Sequence, residues 1–363
     1  MTEQKILTIF LSQFDFSSNK IAKIIEFLGE NASLKGFKKT KFPEKVLPAE
    51  QKEKMLNMAE EELVKTYVVN LADRGIKIVT REENDFPQKL LDLSDCPQIL
   101  YYMGDLSLAN LSSLSIVGTR KPTGYGRIVT ERISADVSAS GVVVVSGLAY
   151  GVDSIAHRKC LEVGGKTIAV LGGGFEHIYP QEHHSLAMEI AEKGLLLSEF
   201  RPKYNATKYS FPLRNRIIAG LGDGVLITEA SFNSGTIHTK DFALEYGKNV
   251  YAVPGNIDSP LSQLTNDMIK SGQATVVTKS DDILIDYSKK DLTQSIGQQK
   301  IQTNFNVTEN EQKVLNALKN GMLSLEELTQ SVQLPANILN SCLTTLEISG
   351  LIRRLPAGTI SLC

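Results

Sequence analysis

The spacing of hydrophobic positions changes character twice along the chain. In residues 1–85 apolar side chains recur at helical intervals; Ile21, Ile24, Ile25 and Leu28 fall on one helical face. This stretch is expected to be mostly helical. From 86 to 287, short β-branched runs alternate with helical patterns. The predicted strands are Ser115–Val117, Val142–Val145, Thr167–Leu171, Leu195–Leu197, Val225–Thr228, Val250–Val253 and Thr275–Val277. Strand–helix alternation of this kind predicts an α/β fold with a parallel, doubly wound sheet. Residues 288–304 are polar, rich in Gln, Lys and Ser, and are expected to form a linker. In 305–363, Thr308 with Glu311 and Ser324 with Glu327 have the spacing of capping boxes that open helices. A third helix carries Ile338, Leu339, Cys342, Leu343 and Leu346, and Leu351–Leu355 and Thr359–Leu362 flank Pro356-Ala357-Gly358 as a hairpin would. Three helices plus a hairpin describe a winged helix.

Composition narrows this picture. A chain of 363 residues with 42% apolar content can build two or three domains with sizeable cores. The formal charge of −2 argues against a wholly basic nucleic-acid binder but leaves room for a local basic patch. Cys96, Cys160, Cys342 and Cys363 lie far apart without a CxxC, which fits a reducing compartment. The apolar start, Ile6 to Leu11, is too short to span a bilayer. A soluble, cytoplasmic protein without a membrane segment is expected. The would-be recognition helix, Pro335 to Ser349, has no Lys or Arg and carries Glu347. A helix entering a major groove normally presents cations, so this domain is expected to bind protein or act structurally.

Open α/β sheets bind ligands at the carboxyl ends of their strands, so the candidate chemistry lies there. After the first predicted strand comes Gly118-Thr119-Arg120-Lys121-Pro122. A dinucleotide loop would carry further glycine where Arg120 stands. A long cation and a proline suggest that phosphate is held by side-chain charge. After the second strand come Ser146, Gly147, Gly151 and Asp153; Ser146 is a possible phosphate donor and Asp153 a possible helix cap. Ser234-Gly235-Thr236 would present backbone N–H groups at a helix start, a natural anion seat. Lys208, Phe211, Pro212, Arg214, Asn215 and Arg216 form a further segment opening a helix. Cations there oppose the helix dipole, which implies an anion or an internal partner such as Glu199 or Asp223.

Other features carry less. Gly164-Gly165-Lys166-Thr167 resembles the end of a phosphate loop but precedes a strand. His177, Glu182, His183 and His184 lack a metal-site spacing, so no metal is expected. His157, one turn after Asp153, suits a structural histidine, and the lysines between Lys35 and Lys45 suit a solvated surface.

Together these residues resemble the DprA/Smf family, DNA-processing protein A of natural transformation. The resemblance rests on Ile116-Val117-Gly118-Thr119-Arg120 with Pro122-Thr123, Ser146-Gly147-Leu148-Ala149 with Gly151-Val152-Asp153, and Ala156-His157. It continues through Tyr179-Pro180, Ser198-Glu199, Phe211-Pro212 with Arg214-Asn215-Arg216, Ser234-Gly235-Thr236 and Val253-Pro254-Gly255. It covers most of 86–287. It implies an extended Rossmann-like domain between an N-terminal helical SAM-like domain and a C-terminal winged helix. It further implies a non-enzymatic protein, without cofactor, that binds single-stranded DNA, protects incoming strands and loads RecA onto them. A homodimer through about 229–272 is implied too. Carried over by position, the DNA-site candidates are Gly118, Thr119, Arg120, Ser146, Gly147, Lys208, Phe211, Arg214, Asn215 and Arg216. Arg120 either contacts the strand or holds the neighbouring helix; Phe211 or Phe175 either stacks a base or belongs to the core. His183, Leu264 and Lys240 depart from the family's usual residues.

Two rival functions follow from similar sheets. A phosphoribohydrolase-like enzyme would also use a Gly-Thr turn near a helix, with a catalytic Glu close to where Lys240 stands. A dinucleotide-dependent oxidoreductase would need the missing glycines.

Overall fold

The computed structural model describes residues 1–287, 308–318, 323–332, 334–348, 352–354 and 359–362. The predicted linker and the Pro356-Ala357-Gly358 turn lie outside them. The chain forms two compact units, Met1–Thr293 and Gln294–Cys363.

The first unit is built on nine strands: β1 (Lys77–Thr80), β2 (Ile99–Gly104), β3 (Ser113–Val117), β4 (Val143–Ser146), β5 (Thr167–Val170), β6 (Leu195–Ser198), β7 (Gly224–Ile227), β8 (Asn249–Ala252) and β9 (Thr275–Val276). Their order is β1-β2-β6-β5-β4-β3-β7-β8-β9. From β6 through β9 all neighbours are parallel. All seven predicted strands are present, with ends shifted by at most two residues. They are legible because β3 to β7 are buried at every position, as strands covered on both faces must be. The sheet is also extended by two strands the pattern does not announce. β2 pairs antiparallel with β6, and β1 antiparallel with β2. The helical segment therefore ends before Lys77, short of the boundary expected at residue 85.

Five helices precede the sheet: α1 (Glu3–Ser12), α2 (Ser18–Leu28), α3 (Leu34–Lys39), α4 (Ala49–Leu56) and α5 (Glu61–Ala72). In α2, Ile21, Ile24 and Leu28 are buried, Ile25 packs beside them, and the Ser17 side chain caps the start. These helices share one core with the sheet: Ile9 and Phe10 cluster with Tyr101, Leu171 and Leu196. The Ser12 and Tyr101 hydroxyls meet at 2.6 Å across that junction.

Along the sheet run α6 (Gln88–Leu91), α7 (Gly124–Ala139), α8 (Val152–Glu162), α9 (His184–Lys193), α10 (Ser210–Leu221), α11 (Thr236–Glu245) and α12 (Gln263–Lys270). The chain winds from β3 to β6 in one direction, then returns to place β7 on the other side of β3. Loops leaving β3 and β7 diverge there, which opens a crevice at the strand ends.

The second unit has helices Glu309–Leu318, Leu325–Val332 and Ala336–Ile348 and a three-stranded antiparallel sheet. Both capping boxes form: Thr308 N–H donates to Glu311 at 2.7 Å, and Ser324 N–H to Glu327 at 2.8 Å. Val314, Leu328, Leu339, Leu343 and Ile352 fill its core.

Candidate nucleic-acid interface

The crevice between β3 and β7 holds a cavity of about 680 Å³. Its lining brings together the loop after β3, the segment entering α10 and the start of α11. Gly118, Thr119, Arg120, Lys208, Phe211, Arg214 and Asn215, from the list predicted by sequence, all line it.

One wall is the arch from Gly118 to Thr123. Thr119 is buried, and its N–H donates to the Glu229 carbonyl at 2.7 Å. Its own carbonyl accepts from Val152 N–H at 3.2 Å. Gly151 has φ +75°, and a Cβ there would lie 2.4 Å from that carbonyl. Only glycine lets the two loops pass so closely. Arg120 projects into solvent, with its guanidinium 5.6 Å from the centre of the Phe211 ring. Phe211 in turn meets Tyr179 at 5.5 Å. Cation and rings thus form a row along the cavity, while Phe175 lies in the core.

The opposite wall is α10. Arg214 is only 4% exposed. Its Nη1 donates to the carbonyls of Gly147, at 2.6 Å, and Val170, tying the ends of β4 and β5 together. Burial lowers its pKa to about 10, against the opposing pull of the Asp153 charge. The Asp153 carboxylate accepts N–H bonds from Gly147 at 3.1 Å and Ala149 at 3.4 Å, so it organises the β4–α8 loop instead of capping α8. Burial raises its pKa, and Arg214 counters that shift. A Cβ on Gly147 would lie 2.7 Å from the guanidinium, so Gly147 is the slot through which Arg214 reaches the sheet. Asn215 spans to the other side of the crevice, donating to Gly235 O at 3.3 Å. There the start of α11 opens on the cavity, with the Ser234 hydroxyl accepting Thr236 N–H at 3.2 Å. Lys208 stands exposed on the rim, 5.0 Å from the ring centre of Tyr209, itself 71% exposed.

Three predicted site residues are corrected; Gly147 does not line the cavity, because the Arg214 guanidinium lies over it and Asp153 takes its N–H. Arg216 does not face the cavity. It is 5% exposed, and its Nη2 reaches both Glu199 oxygens, at 2.5 and 2.6 Å, while Nε meets Asp95 at 3.2 Å. It lines a separate cavity of about 150 Å³ against α1 and α2. Residues two apart on a helix point in nearly opposite directions, so Arg214 and Arg216 cannot share a ligand. Ser146 is fully buried, and its hydroxyl donates to Ile116 O at 2.6 Å, binding β4 to β3. Thr207, Ser231 and Asn233 also line the cavity but carry no local signal, and Tyr179, noted only as part of the Tyr179-Pro180 motif, joins them; long-range folding places them there.

His157 is fully buried, with Nδ1 2.7 Å from Thr167 Oγ1. The Thr167 hydroxyl donates to Val144 O at 2.8 Å, which makes Nδ1 the protonated nitrogen. Burial holds the ring neutral, with its pKa down to about 3 and the His183 and Arg214 charges adding to the shift. His183 Nδ1 donates to Leu148 O at 2.8 Å, where Leu148 adopts φ +57°. Among the described residues no group of three His, Cys, Asp or Glu side chains could hold a metal.

Known proteins share this fold. The profile of DNA recombination-mediator protein A matches residues 77–288, and that of the DprA winged helix domain residues 299–358. DNA processing protein DprA of Bacillus subtilis (strain 168) is 37% identical over 210 residues, covering 58% of this chain and 71% of that protein. The X-ray structure of DNA processing protein A from Streptococcus pneumoniae is similar with a TM-score of 0.67 and 30% identity, over 78% of this chain and 98% of that one. DNA processing protein A from Helicobacter pylori, solved for its single-stranded DNA binding mode, has a TM-score of 0.54 and 32% identity over 59% and 96%. With one profile spanning more than half of the chain and a second over its winged helix, the chain belongs to the DNA recombination-mediator protein A (DprA/Smf) family.

Proposed function

We propose that this protein binds single-stranded DNA at the crevice between β3 and β7, without cleaving it, and passes it to recombination during natural transformation. The observation that carries this reading is the row of Arg120, Phe211 and Tyr179 along the cavity. Cations that track phosphates, interleaved with rings that stack on bases, hold a single strand without reading its sequence. Lys208 and the start of α11 extend the same chemistry around the rim. The single-stranded DNA bound by the Helicobacter pylori relative supports the same ligand.

The test is a titration of fluorescent single-stranded and duplex oligonucleotides of one sequence at two salt concentrations. Single strands are expected to bind more tightly, and less tightly as salt rises. Equal affinity for duplex, or none for single strands, would remove this reading.

Two further elements rest on family membership. A homodimer through about 229–272 would double the contacts on one strand. Phe232 and Ile257, 49% and 87% exposed, are available in that segment. Loading of RecA is the proposed next step, read as faster RecA filament growth on strands already coated by a single-strand-binding protein. These proposed roles would be carried out in the cytoplasm. No helix among the described residues is long and apolar enough to cross a membrane. A phosphoribohydrolase reading gains no support, because Lys240, near where that family's Glu would stand, pairs with Asp241 at 2.7 Å.

A further inference from the structure

A single residue holds the Arg120 arch at both feet. Glu229, just past β7, is 2% exposed. Its backbone carbonyl accepts Thr119 N–H at 2.7 Å. Its carboxylate accepts Thr123 N–H at 2.8 Å and the Thr123 hydroxyl at 2.6 Å. Arg120, Lys121 and Pro122 span the gap between those anchors. Thr123 is also the cap of α7, where its Oγ1 accepts Gly126 N–H at 3.1 Å. The carboxylate therefore lies on the first turn of α7. A Cβ on Gly126 would come within 2.1 Å of Glu229 Oε2.

That position is chemically distinctive. In a doubly wound sheet, the start of the helix after the first parallel strand seats a ligand phosphate. Here the chain's own carboxylate occupies it, negative charge against the positive end of the helix.

We infer that Glu229 is a positioning and specificity-determining residue. It fills the phosphate seat of α7, closing it to pyrophosphate-bearing nucleotides, and braces the arch that presents Arg120 to a phosphodiester strand. The bracing half rests on the single-strand reading above. It makes a prediction opposite in sign to simple electrostatics. Removing a carboxylate beside a polyanion site should tighten binding by charge alone; loss of the brace should weaken it.

The experiment compares the full-length protein with Glu229→Ala, Glu229→Gln, Arg120→Ala and the Glu229→Ala/Arg120→Ala double variant. Oligonucleotide affinity is measured for each, and melting temperature with and without inorganic pyrophosphate. Glu229→Ala is expected to weaken single-strand binding by about three- to tenfold, the scale of one charge-assisted contact. It should add little to Arg120→Ala, because both remove the same contact. Pyrophosphate should raise the melting temperature of Glu229→Ala and leave the parent unmoved. Glu229→Gln keeps the side-chain length and an acceptor, so it should fall between the two; it carries the affinity comparison if Glu229→Ala does not fold. Unchanged or tighter DNA binding in a folded Glu229 variant overturns the brace, as does full additivity with Arg120→Ala. A parent protein that ignores single strands defeats the function reading instead, and the pyrophosphate arm still judges the filled seat.

Discussion

The two walls of the crevice hold their cations in opposite ways. On the arch, Arg120 stands in solvent against the face of Phe211. On α10, Arg214 and Arg216 are 4% and 5% exposed; Arg214 Nη1 is held by protein carbonyls, and Arg216 Nη2 and Nε by carboxylates. A buried guanidinium has lost its hydration and holds the scaffold through those partners. A solvated one keeps donors for a phosphate. The arginines around the crevice thus divide into two that anchor the fold and one whose donors stay open to a ligand, and substitutions should separate stability from binding between them.

The largest effect is expected at Arg216. Arg216→Ala leaves Glu199 and Asp95 without their shared cation and should cost about 3–5 kcal/mol in chemical denaturation. Arg216→Lys should recover little of it, since an ammonium cannot reproduce the fork. A cost near zero would erase the distinction between buried and solvated arginines.

Next comes pH. Folded His157 stays neutral down to about pH 3, whereas an unfolded histidine gains a proton below about pH 6.5. Its contribution to stability is fully present above about pH 6.5 and is lost progressively as pH falls toward 3. The loss should reach about 2 kcal/mol by pH 5. Denaturation at about pH 7.5 and pH 5, with His157→Gln alongside, isolates this slope; an unchanged slope in the variant would assign it elsewhere.

At Arg120 the effect moves from folding to binding. Arg120→Ala should change stability by less than about 0.5 kcal/mol. Single-strand affinity should fall at least several-fold, and the slope of log affinity against log salt should flatten by about 0.7. Lys208, more peripheral on the rim, should show the smallest effect: about a twofold loss on Lys208→Ala that fades at high salt. If Lys208→Ala exceeded Arg120→Ala, the strand would run along the rim and not over the arch.

Much of this molecule is legible in its residues. Val143–Val145 and Leu195–Leu197 are short apolar runs between helical patterns and are strands buried at every position, and Thr308–Glu311 and Ser324–Glu327 cap their helices locally. The arch is legible too, because Arg120 and Pro122 displace the glycines of a dinucleotide turn. β1 and β2 are not: four and six residues long, they depend on β6 as a partner nearly a hundred residues beyond β2. Ser146 has the chemistry of a phosphate donor, but the Ile116 carbonyl takes its proton.

The amino-acid sequence by itself determines the alternation of strands and helices, the crevice at their carboxyl ends and the set of cations near it. These follow from local periodicity and from what each side chain can do. Only the tertiary structure decides which cations remain free. Gly147 admits Arg214 into the sheet, Glu199 and Asp95 close on Arg216, and Glu229 takes the phosphate seat of α7. The physical reason is desolvation. Whether a charge serves the fold or a ligand depends on which groups, distant in sequence, exclude water from it.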